Sequence, residues 1–174
     1  VTPQHNTVDY RPFAPVLGAR RARAIAAGTV VTGSLATIIP VVATIPILPP
    51  LGLVMLLTWR LLSRFAFKPW AAAPLGLFDD LVSGQPLGSA VLLWSLSFLA
   101  IDLLEQRLVF RDYWQDWLIA SGLIAGVIIG GRFLALPVGA HVDTVLLAQI
   151  MVTALLFPLA ARIVARVERK RGED

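Results

Sequence analysis

The residues with the most chemical potential in this chain are two adjacent carboxylates, Asp79 and Asp80, set among Leu, Phe and Val. Their surroundings read Gly76-Leu77-Phe78-Asp79-Asp80-Leu81-Val82-Ser83-Gly84-Gln85-Pro86-Leu87-Gly88. A carboxylate near the centre of a bilayer costs at least ~2.5 kcal/mol on insertion scales, so a pair in apolar surroundings calls for a cation, backbone N–H groups or a water pocket. On a helix, adjacent residues differ by about 100°, so Asp79 and Asp80 cannot both face one small site. That counts against a sandwiched metal or an aspartyl dyad. Ser83-Gly84 and Pro86 end the helix, and Gly88 allows close backbone approach before the next one starts. Two readings stay open. Either the stretch is a polar hinge that fixes two broken helices and offers a contact to a partner, or it is a helix end near the outer interface. In the second case both carboxylates are hydrated, with Asp80 about 6 Å inside that end.

Other chemistries find little support. The absence of Cys excludes a disulfide scaffold, a thiolate metal site and a Cys nucleophile. His5 sits near the start, and His141 lies beside Asp143 in an outer loop, which makes a weak metal site at best. No histidine falls within an apolar span, so a Ser-His pair is unavailable there, and neither H-E-x-x-H nor a Walker-type loop occurs. Phosphatidyl-type transferases need several spaced aspartates on one helix face, not two adjacent ones. The expectation is a protein that is not an enzyme and holds no metal or cofactor. Asp102, Glu105, Arg107, Arg111, Asp112 and Asp116 are expected in a mixed-charge cytoplasmic loop, solvated and partly paired on helix ends.

The elements that position these residues are membrane spans. Of 174 residues, 57% are hydrophobic and 15% charged, against about 25% charged in a soluble domain. A soluble fold of this length could not hide so much apolar side chain. No charge occurs between Arg23 and Arg60. The apolar runs predict an all-α integral membrane protein of about six helices, over 24–45, 51–64, 70–83, 87–104, 114–134 and 145–163. The second and third are short, about 21 Å as helices, so they tilt, snorkel or form a broken hairpin. A cytoplasmic basic tail over 1–23 precedes the polytopic domain of 24–163, and a second follows over 164–174. With an even number of spans, every Lys and Arg but Arg132 falls on one side, which sets both termini in the cytoplasm. Trp59, Trp70, Trp114 and Trp117 lie near segment ends, as interfacial anchors do, and Trp94 does not. The basic clusters flank spans without an aromatic-interleaved patch, which favours membrane lipids over nucleic acid as their partner.

Gly122, Gly126 and Gly130 recur every fourth residue on one face of the fifth span, a spacing that lets helix backbones approach closely in lipid. Packing within the chain is the simpler reading, and contact with another chain the alternative. Ala72 and Gly76 repeat the spacing across Pro74. Pro158 in the last span predicts a kink whose freed carbonyl needs another donor.

Gly76-Leu77, Asp80, Ser83-Gly84 and Pro86-Leu87-Gly88, in that order and spacing, resemble the MreD family of small polytopic rod shape-determining membrane proteins of bacteria. Asp80 takes the family's aspartate position, and Asp79 is an addition at a variable place. Pro50 before the second span, Trp114-Gln115 opening the fifth, and Pro158 ahead of a basic tail support the likeness. It covers about 49–170, while the first span agrees in type only. The resemblance implies a non-enzymatic scaffold of the inner membrane that supports peptidoglycan synthesis and rod shape. It implies binding to MreC and work with MreB, RodA and a class B penicillin-binding protein. It also implies a fold similar to the six-helix substrate-binding component of energy-coupling-factor transporters, which raises an alternative: a membrane component that binds a vitamin or other small molecule.

Overall fold

The structure, a computed structural model, describes residues 16–36, 49–63, 66–107, 113–135 and 144–171. Six α-helices form in them: α1 (Val16–Leu35), α2 (Leu51–Leu62), α3 (Ala72–Ser83), α4 (Ser89–Arg107), α5 (Tyr113–Ala135) and α6 (Thr144–Arg171). A 3-10 turn, Pro69–Ala71, leads into α3 with the proline at its start, where a missing N–H costs nothing. Among the described residues there is no strand. α4, α5 and α6 are each long and apolar enough to cross a membrane, and α2 is a shorter apolar helix. The chain is an all-α membrane protein.

Two ends of the expected layout differ in detail. α1 begins at Val16, upstream of residue 24, and residues 37–45 of the expected first span lie outside the described residues. α6 continues through the basic segment after 163 as far as Arg171.

The helices alternate in direction. The C-terminal ends of α1, α3 and α5 meet the N-terminal ends of α2, α4 and α6, which is the arrangement short connections impose on neighbouring helices. α2 is the centre of the bundle. It packs on α1 and α6, and more lightly on α4 and α5. Leu53, Leu56, Leu57 and Trp59 are all buried, as an apolar-all-round sequence requires. Surrounded in this way, α2 can be short without presenting its ends to lipid.

Close backbone approach is organised by three glycines. A Cβ at Gly33 would stand 3.0 Å from the backbone of Leu51 and Gly52, and one at Gly52 would fall on Ser34 Oγ. One at Gly76 would stand 2.8 Å from the backbone of Ala90 and Val91. These are the α1–α2 and α3–α4 crossings. The stripe expected to pack inside the chain does so only at its last member: a Cβ at Gly122 or Gly126 would meet nothing within 4 Å, whereas one at Gly130 would stand 2.8 Å from the side-chain tip of Leu93 on α4. The cause is the helix's rotation. α5 buries Ala120 and Ile124, and Gly122 lies about 200° from each of them.

The aromatic anchors also divide. Trp70 and Trp114 are exposed, as interfacial residues are, but Trp59 is fully buried and donates its indole N–H to Thr29 Oγ1 at 2.8 Å. Trp117 is half-buried and donates to the Ala154 carbonyl at 3.1 Å. Ala154 is the residue four before Pro158, so Trp117 on α5 supplies the donor that the proline on α6 lacks.

Candidate functional site

Asp80 occupies the last turn of α3 and is 1% exposed. Its carboxylate accepts from the Gly88 N–H at 2.8 Å, the Ser89 hydroxyl at 2.9 Å and the Ala90 N–H at 2.8 Å, with the Val91 N–H further off at 3.4 Å. The N–H groups among these are donors at the start of α4 that no carbonyl within the helix can satisfy, and they form the positive end of its dipole. An aspartate on one helix therefore caps the next. The turn between them is built for this. Gly84 ends α3 in the left-handed conformation at φ 68° and Gly88 has φ 96°, while a Cβ at either would meet open space. Conformation, not room, requires glycine there. The Pro86 carbonyl accepts from the Ser89 N–H at 3.0 Å and closes the turn. Ser83 is exposed at the helix end. The hydrated-end reading fails for Asp80, which is dry and engaged by protein donors.

Asp79 points elsewhere, as the 100° step between neighbours demands. It accepts from Ser34 Oγ of α1 at 2.6 Å, and Gly52 of α2 leaves the space that this bond occupies. One carboxylate thus ties α3 to α4 and the other ties α3 to α1.

Beside Asp79 lies a cavity of about 660 Å³ at the same end of the bundle. Leu53, Leu93, Trp94, Val127 and Leu146 line it, along with the polar side chains of Asp79, Gln85, Arg132 and Gln149. Its volume falls within the ~300–1,000 Å³ usual for small-molecule sites. Arg132 on α5 and Gln149 on α6 are sparse polar residues in long apolar runs. Nothing in their spacing pairs them with Asp79, so the sequence does not announce that they converge.

The opposite end holds a second polar cluster. Arg60 of α2, 5% exposed, pairs with Asp102 and reaches Glu105 at 3.4 Å, both on α4. Its guanidinium also lies 5.8 Å from the centroid of the Phe98 ring, and its Nε finds no partner among the described residues. Asp102 and Glu105 were expected in a solvated loop. They are paired on a helix end, the last turns of α4, but with a buried cation that α2 delivers and not within a solvated loop. Arg107 ends the same helix and Asp116 stands in the first turn of α5; Arg111 and Asp112 lie outside the described residues. Arg20, Arg21, Arg23, Lys68, Arg162, Arg166 and Arg169 are at this end too, whereas Arg132 is at the other. Among the described residues, no three His, Cys, Asp or Glu are grouped so as to hold a metal ion.

Fold and site together define an all-α membrane protein in which carboxylates, Asp80 fully buried and Asp79 half-buried, fasten helices to one another. Residues 25–133 match the family model for rod shape-determining protein MreD, and the chain belongs to that family. It is a rod-shape-determining membrane protein. The match takes in the Asp80 turn, the Arg60 cluster and the cavity residues Asp79, Gln85 and Arg132 but not Gln149; it begins within α1 and ends before α6 and Pro158. No curated protein and no solved structure gives a significant match to the chain.

Proposed function

We propose that this protein is a non-catalytic scaffold of the cell-elongation machinery, crossing the inner membrane several times with both termini in the cytoplasm. In this role it holds the membrane helix of MreC and works beside MreB, RodA and a class B penicillin-binding protein in peptidoglycan synthesis. The observation that carries the reading is the use made of Asp80: both oxygens are taken by donors that fix one helix to the next, which is the work of a rigid framework. The gathering of cations at the Arg60 end supports the orientation. The test is depletion of the protein in rod-shaped cells, with MreC copurification scored in parallel. Rounding of the cells and recovery of MreC with the tagged protein are expected; unchanged shape together with loss of MreC from the purified fraction overturns the proposal.

The cavity with Asp79, Gln85, Arg132 and Gln149 favours a second reading, a membrane component that binds a vitamin or other small molecule. A rise in the melting temperature of the purified protein with one member of a vitamin panel would establish it, and no rise with any would dismiss it.

A further inference from the structure

A groove of about 470 Å³ runs between α1 and α3 near the Arg60 end. Its walls are almost wholly apolar, formed by Ala27, Val31, Leu75 and Phe78 among others, and two cations, Arg23 and Lys68, lie along it. Both are exposed, and among the described residues neither makes an ion pair, in contrast to Arg60. Trp70 also lines the groove and is 67% exposed, placed like a residue that sits at the headgroup level. Arg23, Ala27 and Val31 recur every fourth residue on α1, so the groove extends about 12 Å from a cation into apolar surroundings.

We propose that this groove binds an anionic phospholipid, with its phosphodiester on Arg23 and Lys68 and an acyl chain along Ala27 and Val31. The charge selects the occupant. A partner's apolar helix would leave two cations facing it without counter-charge, and a zwitterionic lipid would bring its own ammonium close to them. An anionic headgroup neutralises both cations, while its chain covers the apolar wall in the way the surrounding bilayer does. Basic pockets between membrane helices hold acidic headgroups for the same reason.

The test is native mass spectrometry of the full chain in neutral detergent, with phosphatidylglycerol and phosphatidylcholine of identical chains supplied together. The wild type is expected to keep phosphatidylglycerol preferentially. Arg23→Gln with Lys68→Gln is expected to weaken its retention about thirty-fold, equivalent to ~2 kcal/mol at about 1 kcal/mol per basic group near an acidic surface. Arg23→Lys should retain it, and so should Arg132→Gln at the opposite end. Glycerol phosphate, which has the anion without the chains, should not compete. Equal retention of the two lipids by the wild type overturns the proposal, as does undiminished phosphatidylglycerol in the double variant. An equal loss in Arg132→Gln does the same. If Val31→Trp, which fills the groove, breaks a dimer while leaving lipid in place, the occupant is a second copy of the chain and the proposal fails.

Discussion

Replacing Asp80 with Ala removes one side chain and strands several donors. The Gly88 N–H, the Ser89 hydroxyl and the Ala90 N–H lose acceptors at 2.8, 2.9 and 2.8 Å, in a place where the carboxylate is 1% exposed. A buried donor left without a partner costs about 1–3 kcal/mol. Gly88 lies on the exposed side of the turn and can recruit water, and the Ser89 hydroxyl can rotate toward another acceptor. The expected loss is therefore ~3–5 kcal/mol, beyond the ~0.5–3 kcal/mol range of most point changes. The assay is unfolding of the purified protein in mixed micelles of neutral and denaturing detergent, followed by helical circular dichroism. Ser89→Ala removes the hydroxyl's 2.9 Å bond to Asp80, with a marginal 3.5 Å contact to Gln85, and should cost about 1 kcal/mol. In the double variant the two effects should fall short of adding by at least ~1 kcal/mol, because the hydroxyl has no carboxylate to lose once Asp80 is gone. A change within ~0.5 kcal/mol for Asp80→Ala, or strict additivity with Ser89→Ala, would refute the capping argument.

Gly76→Leu is expected to force α3 from α4 and destabilise the protein by about 1–3 kcal/mol in the same assay, whereas Gly126→Leu should leave the isolated protein within ~0.5 kcal/mol of wild type. Arg60→Met should cost about 2–3 kcal/mol, since it leaves Asp102 and Glu105 facing one another; adding Asp102→Asn should recover part of that loss in unfolding measurements. Trp117→Phe should cost about 1–2 kcal/mol by freeing the Ala154 carbonyl, and much less in a Pro158→Ala background, where the helix supplies its own donor.

The Asp80 turn was legible because everything it needs is local. The carboxylate, the helix-ending Gly84, Pro86 and Gly88 all lie within one short run, although Gly88 serves by its positive φ and not by the close backbone approach its type suggests, and burial of charge in lipid dictates that donors be near. Short-range rules also reached Pro158, where a missing N–H is a property of the residue itself. What escaped was long-range or rotational. The Ser34–Asp79 bond spans 45 positions, and no pattern on either segment names the other. Arg60 reads as an interfacial cation from its place in the chain, and only the packing of α2 against α4 turns it inward. The glycine repeat on α5 was visible, but a repeat fixes a face without fixing the direction in which that face turns. The glycines that do bring backbones together, Gly33, Gly52 and Gly76, are scattered one to a segment.

The donors that receive the Asp80 carboxylate follow it in the chain by only eight to eleven positions. During synthesis α3 therefore cannot be handed to the bilayer alone without presenting a bare acid to hydrocarbon, yet the remedy emerges from the ribosome almost at once. α3 and α4 are expected to leave the translocation channel together, as a preassembled hairpin. Truncating nascent chains just before Ser89 should then stall integration, where truncation beyond α4 should not.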